Sequence, residues 1–315
     1  MAALWRGDRA GTISTQRARP VKPAPFIYNA ARSLDEALAL KAEHGDDAHF
    51  LAGGQSLVPM MNFRLAQPSI LIDINRLTEL DSICRDGEAL RIGALTRHRT
   101  MERSQEMAQH YPLLHEAMPH IAHPQIRSRG TLGGNLAHAD PASELPAIVV
   151  ALGGRMRARS TCGERWIGAD DFFRGALITD LRPEEMLVEI ELPASPPGTG
   201  SCFMEVARRR GDFALMGVAA TITLGEGGTC VAAGLAYCCA GDRPVNAAGA
   251  ARSLVGHRVT ESGIGDAAAL AQRAIDPAGN LHASKDFQRH LADVLTRRAL
   301  QTALERARAV NAPGV

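Results

Sequence analysis

The stretch Pro193-Ala194-Ser195-Pro196-Pro197-Gly198-Thr199-Gly200 limits the fold more than any other part of this chain. Proline lacks the amide proton that a helix interior or central strand requires, and clustered glycine favours neither element. No regular element is expected to run through it, so a domain boundary is placed there. Beyond it, three long strand-like segments (Cys202–Arg208, Met216–Leu224, Cys230–Cys239) precede three helical ones, about Asn246–Leu254, Glu261–Ala274 and Asp286–Arg308. Strands followed by helices predict an α+β domain with a three-stranded sheet over residues 201–309. At 315 residues the chain has room for two or three cores.

Before the boundary, short strands alternate with helices. Ser33-Leu34-Asp35-Glu36 is a capping box in which Ser33 bonds the third helical amide and Glu36 reaches back to the Ser33 amide. Leu34, Ala37, Leu38 and Ala42 follow at helical spacing, and Gly45 supplies the stop. His49–Ala52, Ile70–Ile74, Leu90–Leu95, Arg155–Arg159 and Met186–Leu192 read as strands. Thr100–Gln109, Tyr111–Ile121 and Ala142–Leu152 read as helices.

Composition excludes several functional classes. Lys+Arg and Asp+Glu number 35 and 34, so net charge gives no reason to expect nucleic acid or an anionic membrane as partner. No apolar run reaches the roughly 20 residues of a membrane helix. Residues 1–24 carry four arginines but no apolar core of a secretory signal, and are expected to form a flexible tail on a cytoplasmic protein. The six cysteines lack paired C-x-x-C spacing, so no metal ligand set is expected on this chain.

Two glycine pairs carry the candidate chemistry. Leu51-Ala52-Gly53-Gly54-Gln55-Ser56-Leu57 leaves a strand, and consecutive glycines let successive amides converge on an anion, with the Ser56 hydroxyl as a further donor. A plain tight turn satisfies the same residues. The loop fits neither the G-x-G-x-x-G nor the G-x-x-x-x-G-K-[ST] template. Ile126-Arg127-Ser128-Arg129-Gly130-Thr131-Leu132-Gly133-Gly134-Asn135 has the same character, with Arg127 and Arg129 adding positive charge. Asp140 either accepts from a sugar hydroxyl or caps the helix that follows. Two such loops in one domain suit a diphosphate, which needs donors on more than one side. No nucleophile–base pair is apparent, and His115, His120, His123 and His138 are read as structural.

Taken together, Leu51–Pro59, Asp73-Ile74-Asn75, Ile92-Gly93-Ala94, Ile126–Asp140, Arg210-Gly211-Asp212-Phe213-Ala214-Leu215 and the C-terminal Gln288–Leu291 and Arg297–Leu300 resemble the flavoprotein subunit of carbon-monoxide-dehydrogenase and xanthine-dehydrogenase type molybdenum hydroxylases. The resemblance covers roughly residues 25–308. It implies a two-part FAD-binding domain of the p-cresol-methylhydroxylase/vanillyl-oxidase type over 25–194, with subdomains of about 25–80 and 81–194. The family's C-terminal domain follows at 201–309.

The resemblance further implies FAD contacts from Ala52, Gly53, Gly54, Gln55, Ser56, Leu57, Thr131, Gly133, Gly134, Asn135, Asp140 and Leu187. Asp212 and Phe213 are placed near the isoalloxazine. Relatives often carry Tyr or Trp where this chain has Phe213, which stacks or gates but donates no hydrogen bond. The implied partners are a large molybdopterin subunit and a small subunit with two [2Fe–2S] clusters, in a heterotrimer or its dimer. FAD would relay electrons from those clusters to an external acceptor. The cysteine-rich insertion of some relatives is absent. Two rival expectations are a self-contained FAD oxidoreductase of the same superfold and a non-catalytic nucleotide-binding assembly subunit. Substrate and acceptor are not legible here.

Overall fold

The computed structural model describes residues 22–311, so nearly all of the expected tail lies outside the described residues. The first layer is a three-stranded parallel sheet built from β1 (Ile27–Ala30), α1 (Leu34–His44), β2 (Ala48–Leu51), α2 (Leu57–Asn62) and β3 (Ile70–Asp73), in strand order β1-β3-β2. Ser33 caps α1 as expected, accepting from the Glu36 amide at 3.2 Å. The reciprocal bond differs: the Glu36 carboxylate accepts from the Arg32 amide at 2.7 Å, one residue earlier than the standard box. Gly45, at φ 52°, ends the helix.

The second layer is antiparallel. It contains β4 (Ile83–Asp86), β5 (Ala89–Gly93), β6 (Arg155–Ser160), β7 (Gly163–Gly168) and β10 (Met186–Leu192), in order β4-β5-β10-β6-β7. Between β5 and β6 lie α3 (His98–Arg103), α4 (Gln105–His110), α5 (Pro112–Ala117), α6 (Pro124–Arg127), α7 (Leu132–His138) and α8 (Glu144–Ala151). After β7 come α9 (Ala169–Phe172) and a hairpin of β8 (Phe173–Gly175) with β9 (Ile178–Thr179). The helix expected over Thr100–Gln109 is two helices, because the Ser104 hydroxyl takes the Met107 amide at 3.2 Å and starts a new one. α8 is buried on every side, as its Leu-Pro-Ala-Ile-Val-Val sequence demands.

The last sheet holds β11 (Thr199–Ala207), β12 (Ala214–Leu224), β13 (Cys230–Cys238) and β14 (Val245–Asn246), followed by α10 (Ala248–Arg252), α11 (Glu261–Ala274) and α12 (Lys285–Asn311). The expected three strands are therefore four. β14 is only two residues long and pairs with Ala236 and Tyr237, too short for a sequence pattern to mark. No sheet is shared across 193–198, and we propose the domain boundary there.

One face of the last sheet contributes Phe203, Ala219, Ala236 and Cys238 to the same core as α8 and the second sheet. Its other face packs under α10, α11 and α12. β12 is accordingly buried almost throughout, the mark of a strand covered on both sides. Across this contact the Arg306 guanidinium grips the Glu116 carboxylate in a two-point pair at 2.8 and 2.9 Å and donates to the Ser201 carbonyl at 2.6 Å.

α12 lies close on β11 because small residues face it. A Cβ on Gly200 would stand 2.0 Å from the Ala303 carbonyl oxygen and 2.3 Å from the Ala307 nitrogen, both backbone atoms of α12. Gly200→Ala is expected to destabilise the protein by about 1–3 kcal/mol through overpacking. A lowered urea midpoint at unchanged slope would register it, and an unaltered midpoint would show that the helix can retreat freely.

Candidate cofactor site

The two glycine loops meet at the carboxyl end of the parallel sheet, where open α/β sheets place ligands. β2 ends at Leu51 and releases Ala52–Ser56 before α2; β3 ends at Asp73 and leads to Asn75. After β5 the chain turns at Ala94–Leu95, and the second loop lies along the segment Ala94–Arg97. The Leu132 amide donates to the Thr96 carbonyl at 3.0 Å, and the Gly133 amide to the Ala94 carbonyl at 2.8 Å.

Contact between the loops depends on missing side chains. A Cβ on Gly53 would lie 2.3 Å from the Arg129 carbonyl oxygen, and one on Gly133 would lie 2.5 Å from Ala94 Cβ. A Cβ on Gly134 would meet Thr131 Oγ1 at 2.7 Å and come within 3.9 Å of Ala52 Cβ. Gly54 has φ 72°, a left-handed turn that favours glycine.

The loops nevertheless differ in what they offer an anion. Among the described residues, no carbonyl accepts from the amides of Gly53, Gly54, Gln55 and Ser56. These four donors are free for a ligand. In the second loop the amides are already taken: Leu132 and Gly133 by the segment after β5, Gly134 by Thr131 Oγ1 at 3.1 Å, Asn135 by the Thr131 carbonyl. Of the two loops expected to offer amides, only the first leaves them free, while the second gives close approach.

A cavity of about 360 Å³ opens between them, lined by Leu51–Gln55, Val58, Pro59, Asn62, Asp73, Asn75 and Arg129. That volume falls at the lower end of ligand-sized clefts, about 300–1,000 Å³. Asn75 organises its back wall. Its Nδ2 donates to the Leu51 and Ala52 carbonyls at 3.1 and 2.8 Å and to Asp73 Oδ1 at 2.6 Å. The Tyr28 hydroxyl donates to the other Asp73 oxygen. Burial pushes the Asp73 carboxyl up, but the Tyr28 and Asn75 hydrogen bonds outweigh it and hold the group below the ordinary aspartate value. The Arg97 guanidinium donates to Asn75 Oδ1 at 2.6 Å and to the Arg129 carbonyl.

The remaining expected residues lie outside that lining. The Ser56 hydroxyl makes no cap bond at the start of α2. Thr131 caps α7, and Asn135 Oδ1 accepts from Ser143 Oγ at 2.9 Å. Asp140 Oδ1 accepts from the Ala142 amide at 2.9 Å, a local turn that leads into α8 rather than a cap on it. Leu187 points into the main core: a bulge between Leu187 and Glu189 shifts the register, with Met186 and Val188 facing the first sheet. Its buried side chain lies apart from the cavity, where a flavin or adenine contact was expected. Asp212 and Phe213 follow Gly211, whose φ is 88° and whose missing Cβ admits His123 Nδ1 at 2.5 Å. This contact fastens the exposed Phe213 turn to the segment leading through α6 into the second loop.

Sequence reasoning missed Arg97 and Asn62, and it named Asn75 only within a motif. Nothing in the run Leu95-Thr96-Arg97-His98 signals a role, since the partners of Arg97 come from two other loops. Two of the four histidines have partners: His115 Nε2 meets the Glu102 carbonyl at 3.0 Å, and His120 Nδ1 meets Glu205 Oε1 at 3.1 Å. Near that pair Glu144 is pushed up to about 7 by burial and by the Glu205 charge.

With this geometry in hand, comparison with known proteins is direct. The model of the FAD binding domain in molybdopterin dehydrogenase matches residues 23–195, and that of the CO dehydrogenase flavoprotein C-terminal domain matches 201–303. The chain belongs to the FAD-binding subunits of the molybdenum hydroxylases. It is 41% identical over 288 residues to the 6-hydroxypseudooxynicotine dehydrogenase complex subunit alpha of Paenarthrobacter nicotinovorans, covering 91% of this chain and 97% of that one. It is 37% identical to the carbon monoxide dehydrogenase medium chain of Hydrogenophaga pseudoflava, covering 90% and 99%. Among solved structures, CO dehydrogenase from Hydrogenophaga pseudoflava superposes with a TM-score of 0.88 at 38% identity, over 90% of this chain and 99% of that one. Quinoline 2-oxidoreductase from Pseudomonas putida 86 gives 0.86 at 38% identity, over 91% and 99%. In this FAD-binding subunit the free amides, the glycine cradle and the two arginines fit the diphosphate of the cofactor. No described helix is long and apolar enough to cross a membrane.

Beneath the second loop lies His98. Its amide donates to the Gly130 carbonyl at 3.0 Å, and its ring sits 3.1 Å from where a Gly130 Cβ would be. Burial pushes this histidine down to about 4, the Arg127 and Arg97 charges add to the shift, and the Thr131 backbone opposes it only in part. The unfolded chain therefore binds the extra proton first. The stability contributed by neutral His98 is complete above pH 6.5 and is lost as pH falls toward 4. Acid is expected to cost the wild type on the order of 3 kcal/mol in that window through this group. Urea titrations of His98→Gln should lack that part of the slope; an identical slope would assign it to other groups.

Proposed function

We propose that this FAD-binding subunit is the electron relay of its complex. Substrate is oxidised at a molybdopterin centre on a large partner subunit. Electrons then pass from [2Fe–2S] clusters on a small subunit to the FAD here and on to an external acceptor. The observation that supports this best is the cradle itself: the unpartnered amides of Gly53, Gly54 and Gln55 belong to residues lining a cavity whose lining has no nucleophile–base pair. The relatives' names fit the same reading, since they include a complex subunit and a medium chain. The matching Hydrogenophaga enzyme is described as lacking the Mo-pyranopterin moiety of its molybdenum cofactor. A heterotrimer or its dimer in the cytoplasm suits a chain whose cysteines are all unpaired.

When bound, FAD supplies the redox chemistry, accepting electrons singly and releasing them in pairs. The chain binds and orients it. In this reading the amides of Gly53, Gly54, Gln55 and Ser56 donate to diphosphate oxygens, with the Ser56 hydroxyl as a further donor and Ala52 and Leu57 bounding the turn. Thr131 fixes α7 while Gly133 and Gly134 let it approach, and Asn135 is oriented by Ser143. Asp140 keeps one carboxylate oxygen for a sugar hydroxyl. Asp212 and Phe213 would stand beside the isoalloxazine, where Phe213 would exclude water by stacking without donating a hydrogen bond.

Gly53→Val would drive its side chain into the Arg129 carbonyl, and Gly54→Val would strain a left-handed turn. Each is expected to purify with sharply reduced FAD, read from the visible flavin absorbance, while far-ultraviolet circular dichroism stays near wild type. Normal FAD occupancy in both would sink the cradle assignment. The relay reading also expects the isolated FAD-loaded chain to act only with artificial electron donors and acceptors, with substrate turnover appearing once the partner subunits are added. Direct turnover of an organic substrate by the isolated chain would favour a self-contained oxidoreductase.

A further inference from the structure

Arg97 occupies an unusual position for an arginine. One Nη donates to the Arg129 carbonyl in the second loop, and the other donates at 2.6 Å to Asn75 Oδ1. Asn75 in turn donates to the carbonyls of Leu51 and Ala52, where the first loop begins. The guanidinium thus joins both loops at the base of the cavity. A planar fork with donors at fixed separation suits two such acceptors at once.

Its charge is also poorly balanced by the protein. Burial and the neighbouring Arg129 both disfavour the cation, and Asp81 and Asp73 offset this from a distance. The Asp73 oxygens are already engaged by Tyr28 and Asn75. Arg129 lines the cavity and its charge disfavours the Arg97 cation, a repulsion that an anion between the loops would relieve.

We propose that Arg97 is a positioning residue for the FAD diphosphate, a clasp that fixes the gap between the two glycine loops through Asn75 and the Arg129 carbonyl. This rests on the reading of the cavity as the diphosphate cradle. The Gly53–Arg129 contact sets how near the loops can come, and the clasp sets how far they can part. Without it, the free amides of Gly53–Ser56 lose their fixed distance from the second loop.

The test uses the full chain stripped of FAD and titrated with FAD, following the quenching of flavin fluorescence. Arg97→Met is expected to raise the Kd for FAD about 30- to 100-fold, from the loss of two charge-assisted hydrogen bonds. Arg97→Lys keeps the charge but loses the planar fork and its fixed donor separation, so it should remain about tenfold weaker than wild type. The thermal midpoint of the flavin-free protein should move by less than about 3 °C in either variant. Because the clasp acts through Asn75, Asn75→Ala combined with Arg97→Met should bind no worse than the weaker single variant. Wild-type affinity in both Arg97 variants would overturn the proposal. So would strictly additive losses in the double variant, which would mark a general charge effect. A drop in the flavin-free midpoint matching the loss of affinity would overturn it in favour of a folding role. Failure of the wild-type chain to bind FAD would instead overturn the cradle reading on which it rests.

Discussion

The contact of Gly53 with the Arg129 carbonyl is the constraint around which the site is built. At the 2.3 Å that a Cβ would reach, even alanine would collide with backbone that cannot swing aside. Because the contact exists, a loop leaving a parallel sheet and a loop lying along an antiparallel one share a single cavity. The division of labour follows. Gly53 and Gly54 leave their amides free, whereas Gly133 and Gly134 spend theirs on fixing α7. Two loops of similar composition thus do different work, one donating and one approaching.

The last sheet is joined to this site more closely than a separately folded appendage would be. One face completes the core around α8, and the Arg306–Glu116 pair ties α12 to α5. The Gly211 turn presses on His123, so the position of Phe213 is set by the segment that feeds the second loop. Glu144, Glu205 and His120 lie in the same interface. There His120 pairs with Glu205, while burial and the Glu205 charge disfavour ionised Glu144, and none of the three lines the cavity.

Much of the local structure was legible because its causes are local. Ser33 caps α1 and Gly45 ends it, and Met186–Leu192 and Glu261–Ala274 form as their patterns predict. The failures have equally specific causes. Ser104 divides a helix whose hydrophobic pattern continues across it. β14 is two residues long and exists only because β13 offers an edge. A bulge between Leu187 and Glu189 shifts the register of β10, a slip that simple alternation along the strand does not signal. Asn75 and Arg97 were overlooked as a pair because their partners lie 22 to 32 residues away in the chain.

The sequence by itself determined many of the elements and the family, since the glycine pairs and their flanking residues are written in order along the chain. It also determined that the loops could cradle an anion, because backbone freedom at glycine is a property of the residue. Only the tertiary structure decided which amides remain free, since that depends on acceptors at Ala94, Thr96 and Thr131. It likewise decided that Arg97 holds the loops together and that Leu187 does not line the cavity. Those outcomes depend on distances between segments remote in sequence, and such distances are fixed only when the sheets pack.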